Sequence, residues 1–214
     1  MLRSTLCLVL FVLLCETPLE GYRTAYQQMA SQQLRPLEQL IADLYSKDNP
    51  NPRETQSKLL SLARRSPAGR AAVIHRLIEV LEDAHDIMEK GRYQAWYNAS
   101  AILGELRAAE AIEVLVKYLD FSDGVVGFPL ANRPAVNALV QIGEPAVPKL
   151  SSTLLEAEGT RIRINAAEAL GFIGDRHARE ALERALVSEK DKSVAYEIRR
   201  ALSLISRRRR AKRS

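Results

Sequence analysis

Apolar residues recur along this chain at the spacing of α-helices, and one short pattern of them returns four times. Each copy of the pattern ends in Leu or Ile, and the copies lie 36, 31 and 32 residues apart, at Leu106, Ile142, Ile173 and Ile205. Apolar positions at i, i+3, i+4 and i+7 predict helices that bury one face. A nearly constant period of this length is typical of an α-solenoid, in which helix pairs stack upon one another.

A second amphipathic stretch follows each of the first three marks, at residues 111–119, 145–154 and 178–186. Gly143 and Gly174 separate the two stretches and are predicted to end the first helix in a left-handed conformation. Asp175 is predicted to cap the helix that follows it. Each unit is therefore predicted to be a helix–turn–helix pair.

Residues 139–150 (LVQIGEPAVPKL) and 170–178 (LGFIGDRHA) resemble the HEAT-like repeats first described in phycobilisome lyases. The resemblance is specific over 134–187 and good over 98–119, although Arg107 stands where a Gly is usual. It implies an all-α fold, an α-solenoid (alpha-alpha superhelix) of about four to five HEAT-like helix pairs. It also implies a right-handed stack with a curved inner face.

Upstream of these units the pattern is weaker, but it still predicts helices. Residues 56–63 and 71–81 form a plausible earlier pair, and residues 37–44 carry an apolar stripe before the break at 49–52. The chain is therefore predicted to have four parts. They are a signal peptide (1–21), an N-terminal helical cap (22–52), a HEAT-like repeat domain (53–206) and a basic disordered tail (207–214).

The first segment is typical of a secretory signal peptide. Arg3 precedes an apolar run from Leu6 to Cys15, and polar residues follow. As a helix the run spans about 15 Å, half of a bilayer core, which is too short for a membrane span. Cleavage after Thr17 and cleavage after Gly21 both remain open. The predicted location is periplasmic or secreted; a buried N-terminal helix and a lipoprotein anchored at Cys15 are the less favoured alternatives.

The charge is concentrated at one end of the sequence. The formal net charge is +5, yet residues 207–213 alone contribute six positive charges and the body is neutral. Both cysteines lie in the predicted signal peptide, so the mature chain would have no thiol. A neutral body argues against a nucleic-acid-binding domain, which needs a basic face on the folded part.

No pattern of catalytic, cofactor-binding or metal-ligating residues is found, so the chain is predicted not to be an enzyme and to need no cofactor. The iron sites of deoxyhypusine hydroxylase, another HEAT-like protein, use His-Glu pairs. Here His75, His85 and His177 are followed by Arg, Asp and Ala. Phycobilin lyase activity has no simple signature; the export signal and the missing mature cysteine argue against it.

Two aromatic groups are candidate partner-binding residues. Tyr93 and Trp96 share one helical face, and an exposed Trp would be a candidate anchor. Phe121 and Phe128 lie in the loop 120–134, which is longer than the period requires. Core packing is the favoured alternative for both groups.

The arginines Arg207, Arg208, Arg209 and Arg210 are the remaining candidates. They could hold an acidic partner or an anionic surface, with nucleic acid the least favoured; a solubilising end is the alternative. The predicted function is a non-catalytic scaffold or adaptor that binds a protein or peptide outside the cytoplasm. The alternatives are an envelope-associated accessory protein held by its basic tail and, least favoured, a HEAT-repeat enzyme.

Overall fold

The computed structural model describes residues 36–46, 51–83, 90–121 and 133–211, and the regular elements in these ranges are helices. The first, α1, spans residues 36–45. The others are α2 (Pro52–Arg65), α3 (Pro67–Glu82), α4 (Lys90–Glu105), α5 (Ile112–Lys117), α6 (Pro134–Ile142), α7 (Val147–Glu156), α8 (Thr160–Ile173), α9 (Arg176–Ser188) and α10 (Lys192–Ala211). Short 3-10 turns, Ala109–Ala111 and Glu144–Ala146, precede α5 and α7.

The chain forms two compact units, Met1–Ala42 and Asp43–Ser214. Of the first unit the structure describes residues 36–42, in which Leu37 and Ile41 are buried. This burial confirms the apolar stripe predicted there. The predicted signal peptide lies outside the described residues.

The second unit is a stack of helix pairs. Helices α2, α4, α6, α8 and α10 contact one another in succession and form one row, and α3, α5, α7 and α9 form a second row beside it. Alternation between two rows is the arrangement of an α-solenoid, in which each repeat contacts its neighbours. The predicted all-α solenoid is thus confirmed, including the weaker upstream pair, which forms α2 and α3.

The turns between paired helices follow the sequence closely. Gly174 adopts the predicted left-handed conformation (φ 67°, ψ 17°). The prediction is wrong in detail for Gly143, whose φ is also positive (84°) but whose ψ of −137° lies outside the left-handed helical region. Asp175 caps α9, since its Oδ1 accepts a hydrogen bond of 2.6 Å from the backbone N–H of Ala178. Arg107, which replaces the usual Gly, still takes a positive φ of 50°. The turn therefore keeps its positive φ at a backbone cost of about 1–2 kcal/mol for a residue with a Cβ.

Small residues let the first helices of successive pairs approach closely. A Cβ on Gly171 would lie 2.6 Å from Cβ of Ala201, and one on Gly104 would lie 2.8 Å from Cα of Ala138. Both glycines stand two residues before a repeat mark, and both alanines stand four residues before the next mark. The repeat thus encodes its own stacking contact, because the missing side chain on one helix admits the backbone of the next.

The prediction places the start of the disordered tail too early in the sequence. Helix α10 continues to Ala211, so residues 207–211 are helical, while 212–214 lie outside the described residues. Arginine is a good helix former, and cations near a helix C-terminus are favoured by its dipole. Arg208 also donates a 2.7 Å hydrogen bond to the Phe172 carbonyl and lies over the Phe172 ring. These contacts explain why the helix does not end at the last apolar residue.

Candidate interaction surface

Helix α10 is the most strongly charged element of the stack. It carries seven basic side chains and one acidic side chain, Glu197. Its apolar side, including Val194, Ile198 and Ile205, is buried against the stack. The opposite side, here called the arginine face, is exposed, and it comprises Tyr196, Arg199, Arg200, Ser203 and Arg207.

A groove of about 590 Å³ runs along this face where α10 meets α8. Its apolar lining comes from Phe172 of α8 together with Tyr196 and Leu204 of α10. Tyr196 is 68% exposed, unusually so for a large aromatic side chain. Arg199, Arg200 and Arg207 line the same groove. An apolar lining beside guanidinium groups can bind a segment that has both carboxylate and apolar side chains.

One of these arginines is committed to holding the stack together. Arg200 donates to both oxygens of Glu197 at 2.9 Å and to Glu168 of α8 at 3.0 Å. Hydrogen bonding to Glu197 raises the pKa of the Arg200 guanidinium, and attraction to both carboxylates adds to this effect. Glu168 is buried and is also paired with Arg133 at the start of α6. Arg200 therefore fixes α10 against α8.

Arg199 and Arg207 are different, because neither makes a hydrogen bond or ion pair with any residue in the described ranges. Arg199 lies in the middle of α10, and Arg207 precedes the last-turn arginines Arg208, Arg209 and Arg210. The helix dipole therefore explains the last-turn arginines but not Arg199 or Arg207. Both guanidinium groups are exposed to solvent beside the groove.

The other end of α10 is fixed by a network at its first turn. Oδ1 of Asp191 accepts hydrogen bonds from the backbone N–H groups of Ser193 (2.8 Å) and Val194 (3.3 Å). Its Oδ2 accepts from the Thr160 hydroxyl at 2.8 Å. The hydrogen bond from Thr160, and then that from Ser193, lower the pKa of the Asp191 carboxyl. Nearby, Arg163 pairs with Glu189 at 2.6 Å.

The aromatic residues that the sequence singled out pack into the stack. Trp96 is 1% exposed, with ring centroids 5.7 Å from Tyr118 and 4.8 Å from Phe121. Tyr93 lies 6.0 Å from the Phe121 ring. Trp96 is therefore no exposed anchor, and Phe121 folds back onto the stack. Core packing, the favoured alternative, is what the structure shows for Trp96, while Tyr93 and Phe121 are half-buried and in contact with aromatic rings of the stack.

Phe128 lies outside the described residues. Arg207, Arg208, Arg209 and Arg210 are all exposed on α10, in the region where the sequence placed them. The sequence reasoning missed Phe172, Tyr196 and Arg199. For two of them a sequence pattern was available. Tyr196 and Arg199 recur with Ser203 and Arg207 at i, i+3, i+7 and i+11, a spacing that places all four on one face of a helix.

The described ranges contain no group of three His, Cys, Asp or Glu side chains placed to hold a metal ion. No helix in those ranges is both long and apolar enough to cross a membrane.

The family model of HEAT repeats matches residues 127–203. A crystal structure of an engineered protein is similar at 18% identity, over 80% of this chain and 96% of that chain. Its TM-score with this chain is 0.29. No curated protein matches the chain. The family match and the stacked helix pairs together support a HEAT-repeat protein with an all-α solenoid fold.

Proposed function

We propose that this chain is a non-catalytic scaffold that binds a protein partner outside the cytoplasm, through the arginine face of α10. HEAT repeats are generally protein-interaction scaffolds. The observation that carries the proposal is the exposed groove, where an apolar lining is flanked by Tyr196 and by two arginines that pair with no described residue. Aromatic and arginine side chains are the residue types most enriched among the energetically dominant residues of protein interfaces.

The position of the groove supports the same function. The apolar side of α10, including Val194, Ile198 and Ile205, is buried, so the groove lies on an element that the stack holds rigidly. A binding site on a rigid element requires little ordering when a partner arrives, and affinity is gained by that preorganisation. Arg200, Glu168 and Arg133 supply this rigidity through their ion pairs.

A photo-crosslinking amino acid placed at position 196 in the native host tests the proposal. We expect a discrete protein adduct from position 196, because its side chain points away from the stack. The matched control is position 187, where Val187 is 89% exposed on α9 in the other row. No adduct from position 196, or the same adducts from both positions, would contradict the proposed function.

Export rests on the apolar run from Leu6 to Cys15 after Arg3. N-terminal sequencing of the chain isolated from its host tests it. We expect the mature chain to begin at Pro18 or Tyr22, after cleavage behind Thr17 or Gly21. An uncleaved chain recovered from the cytoplasmic fraction would remove the export part of the proposal and leave the scaffold part standing.

A further inference from the structure

We infer that the groove on the arginine face binds an acidic peptide segment that also carries a large apolar side chain. This inference rests on the proposed function and specifies the chemistry of the partner. The groove offers Phe172, Tyr196 and Leu204 as its apolar lining. Its cations are Arg199 and Arg207, which pair with no residue in the described part of the chain. A ligand that satisfies both features must combine carboxylates with an apolar group.

The repeat itself shows that this face is not built for another stacked helix. Helix α8 has Ala167 six residues and Gly171 two residues before the mark Ile173. Ala167 is fully buried, and Ala201 of α10 packs against Gly171. The same positions before Ile205 are occupied by Arg199 and Ser203. A further HEAT helix packed in the same way would bury the Arg199 guanidinium without a partner, which costs several kcal/mol. The exposed arginines therefore favour a ligand that brings negative charge.

Charge complementarity favours an extended peptide with two carboxylates as that ligand. The third arginine of the groove, Arg200, is already neutralised by Glu168 and Glu197. Arg199 and Arg207 stand eight residues apart, about 12 Å along a helix. Carboxylates about four residues apart on an extended peptide span a similar distance, about 13 Å. Arginine prefers carboxylates because its planar donors match them in a bidentate geometry.

A membrane fits this surface less well than a peptide does. The apolar side of α10, with Val194, Ile198 and Ile205, is buried in the stack and cannot enter a lipid layer. A flat surface also cannot reach the lining of a groove. Nucleic acid fits poorly as well, because the same row presents Glu105 and Gln141 at the positions matching Leu204, so the basic surface does not extend along the stack.

The test uses the purified full chain and a display library of random 12-residue peptides. We expect the selected peptides to be enriched in Glu and Asp at spacings of about four residues, with at least one Leu, Phe or similar side chain. Selection without acidic enrichment would overturn the inference. The most enriched peptide is then synthesised with a fluorophore and used as the probe for titrations.

The titration compares two double variants with equal change in charge. We expect Arg199→Glu with Arg207→Glu to weaken peptide binding by at least about tenfold, because two attractions become repulsions. The control, Arg65→Glu with Arg184→Glu, changes exposed arginines on α2 and α9 and should alter binding by less than about twofold. Equal weakening in both variants would overturn the inference, since it would show a long-range charge effect.

Two further probes test whether the groove binds a membrane or a nucleic acid instead of a peptide. Vesicles of phosphatidylglycerol and phosphatidylcholine, and a single-stranded DNA of about 20 nucleotides, are titrated at the same ionic strength. Tighter binding of either probe with the same dependence on Arg199 and Arg207 would overturn the peptide inference. A protein adduct at position 196 whose contacted segment is not acidic would also overturn it, while leaving the scaffold function intact.

Discussion

Trp96 and Tyr196 are both aromatic residues on first-row helices, yet one is 1% exposed and the other is 68% exposed. Trp96 on α4 is enclosed by Tyr118 and Phe121 of its own repeat. Tyr196 on α10 lies at the rim of an open groove. An aromatic residue of the first row thus stabilises the stack where it is buried, as at Trp96. Where it is exposed, as at Tyr196, it is available for contact with a partner.

The contrast extends to the charged residues. In the interior, Glu168 joins Arg133 to Arg200 across three consecutive first-row helices. On the arginine face, Arg199 and Arg207 make no such pair among the described residues. Interior charge therefore stabilises the fold, whereas the charges of Arg199 and Arg207 contribute little to folding and remain available to a ligand. The following substitutions test that distinction, from the largest expected effect to the smallest.

The aromatic pair should give the largest difference in stability. Trp96→Ala removes a fully buried side chain, so the free energy of unfolding should fall by about 3–5 kcal/mol. Tyr196→Ala should change it by less than about 0.5 kcal/mol, because the side chain is mostly exposed. Urea unfolding followed by circular dichroism measures both. Similar losses in the two variants would show that Tyr196 is part of the core.

The second largest loss of stability is expected when the carboxylate of Glu168, at the centre of the interior ion pairs, is replaced. Glu168→Gln leaves Arg133 and Arg200 without their shared anion, and we expect a loss of about 1.5–3 kcal/mol in unfolding free energy. The control is Glu105→Gln, which breaks a pair with Arg64 at 2.8 Å in which both side chains are substantially exposed. Its cost should be at most about 1 kcal/mol. A smaller loss at Glu168 than at Glu105 would contradict the structural role of the interior network.

The stacking contact can be tested at two equivalent repeat positions. Gly171→Val places a side chain where even a Cβ would lie 2.6 Å from Ala201, so overpacking should cost about 1–3 kcal/mol. Ser203→Val puts the same side chain two residues before the next mark, on the exposed face, and should change stability by less than about 0.5 kcal/mol. Thermal unfolding of both variants makes the comparison. If Gly171→Val were as stable as the parent, α8 and α10 could not be as close as described.

The smallest effect concerns pH. Hydrogen bonds lower the pKa of Asp191 in the folded chain, so its ionisation contributes stability above its unfolded pKa of about 3.9. That contribution is lost as the pH falls through the lowered folded pKa. Asp191→Asn keeps a capping side chain but has no charge. We expect the variant to be less stable than the parent above pH 5, and this difference to disappear in acid.

Urea titrations between pH 2 and 7 measure this difference. Thr160→Val removes the hydrogen bond that contributes most to the lowered pKa, so it should reduce the pH dependence while leaving the Asp191 charge in place. A constant difference between Asp191→Asn and the parent at every pH would show that ionisation of Asp191 does not contribute.

Much of the fold could be predicted from local rules. The marks Ile142 and Ile173 end α6 and α8, because Gly at the next position tolerates a positive φ that stops a helix. The end of α10 could not be predicted in this way. Its extension to Ala211 is supported by contacts between Arg208 and Phe172, which are 36 residues apart and meet through the stack.

The candidate site was predicted only in part, for a related reason. The cluster of arginines at 207–210 is visible in the sequence, whereas the groove requires Phe172 from one repeat beside Leu204 from the next. Trp96 and Phe121 looked like contact residues because aromatic side chains suit both cores and interfaces. Periodicity gives the face on which a residue lies, but it does not give what covers that face.

The sequence by itself determined the period, the helix–turn–helix pairs and the neutral body with its basic end, because these depend on local spacing and composition. The tertiary structure decided which arginines form ion pairs within the stack. Arg200 meets Glu168 of the preceding repeat, while Arg199, its immediate neighbour, points away. Adjacent residues on a helix differ by about 100° in direction. What lies in each direction is set by packing between repeats, and at α10 that packing leaves Arg199 and Arg207 exposed.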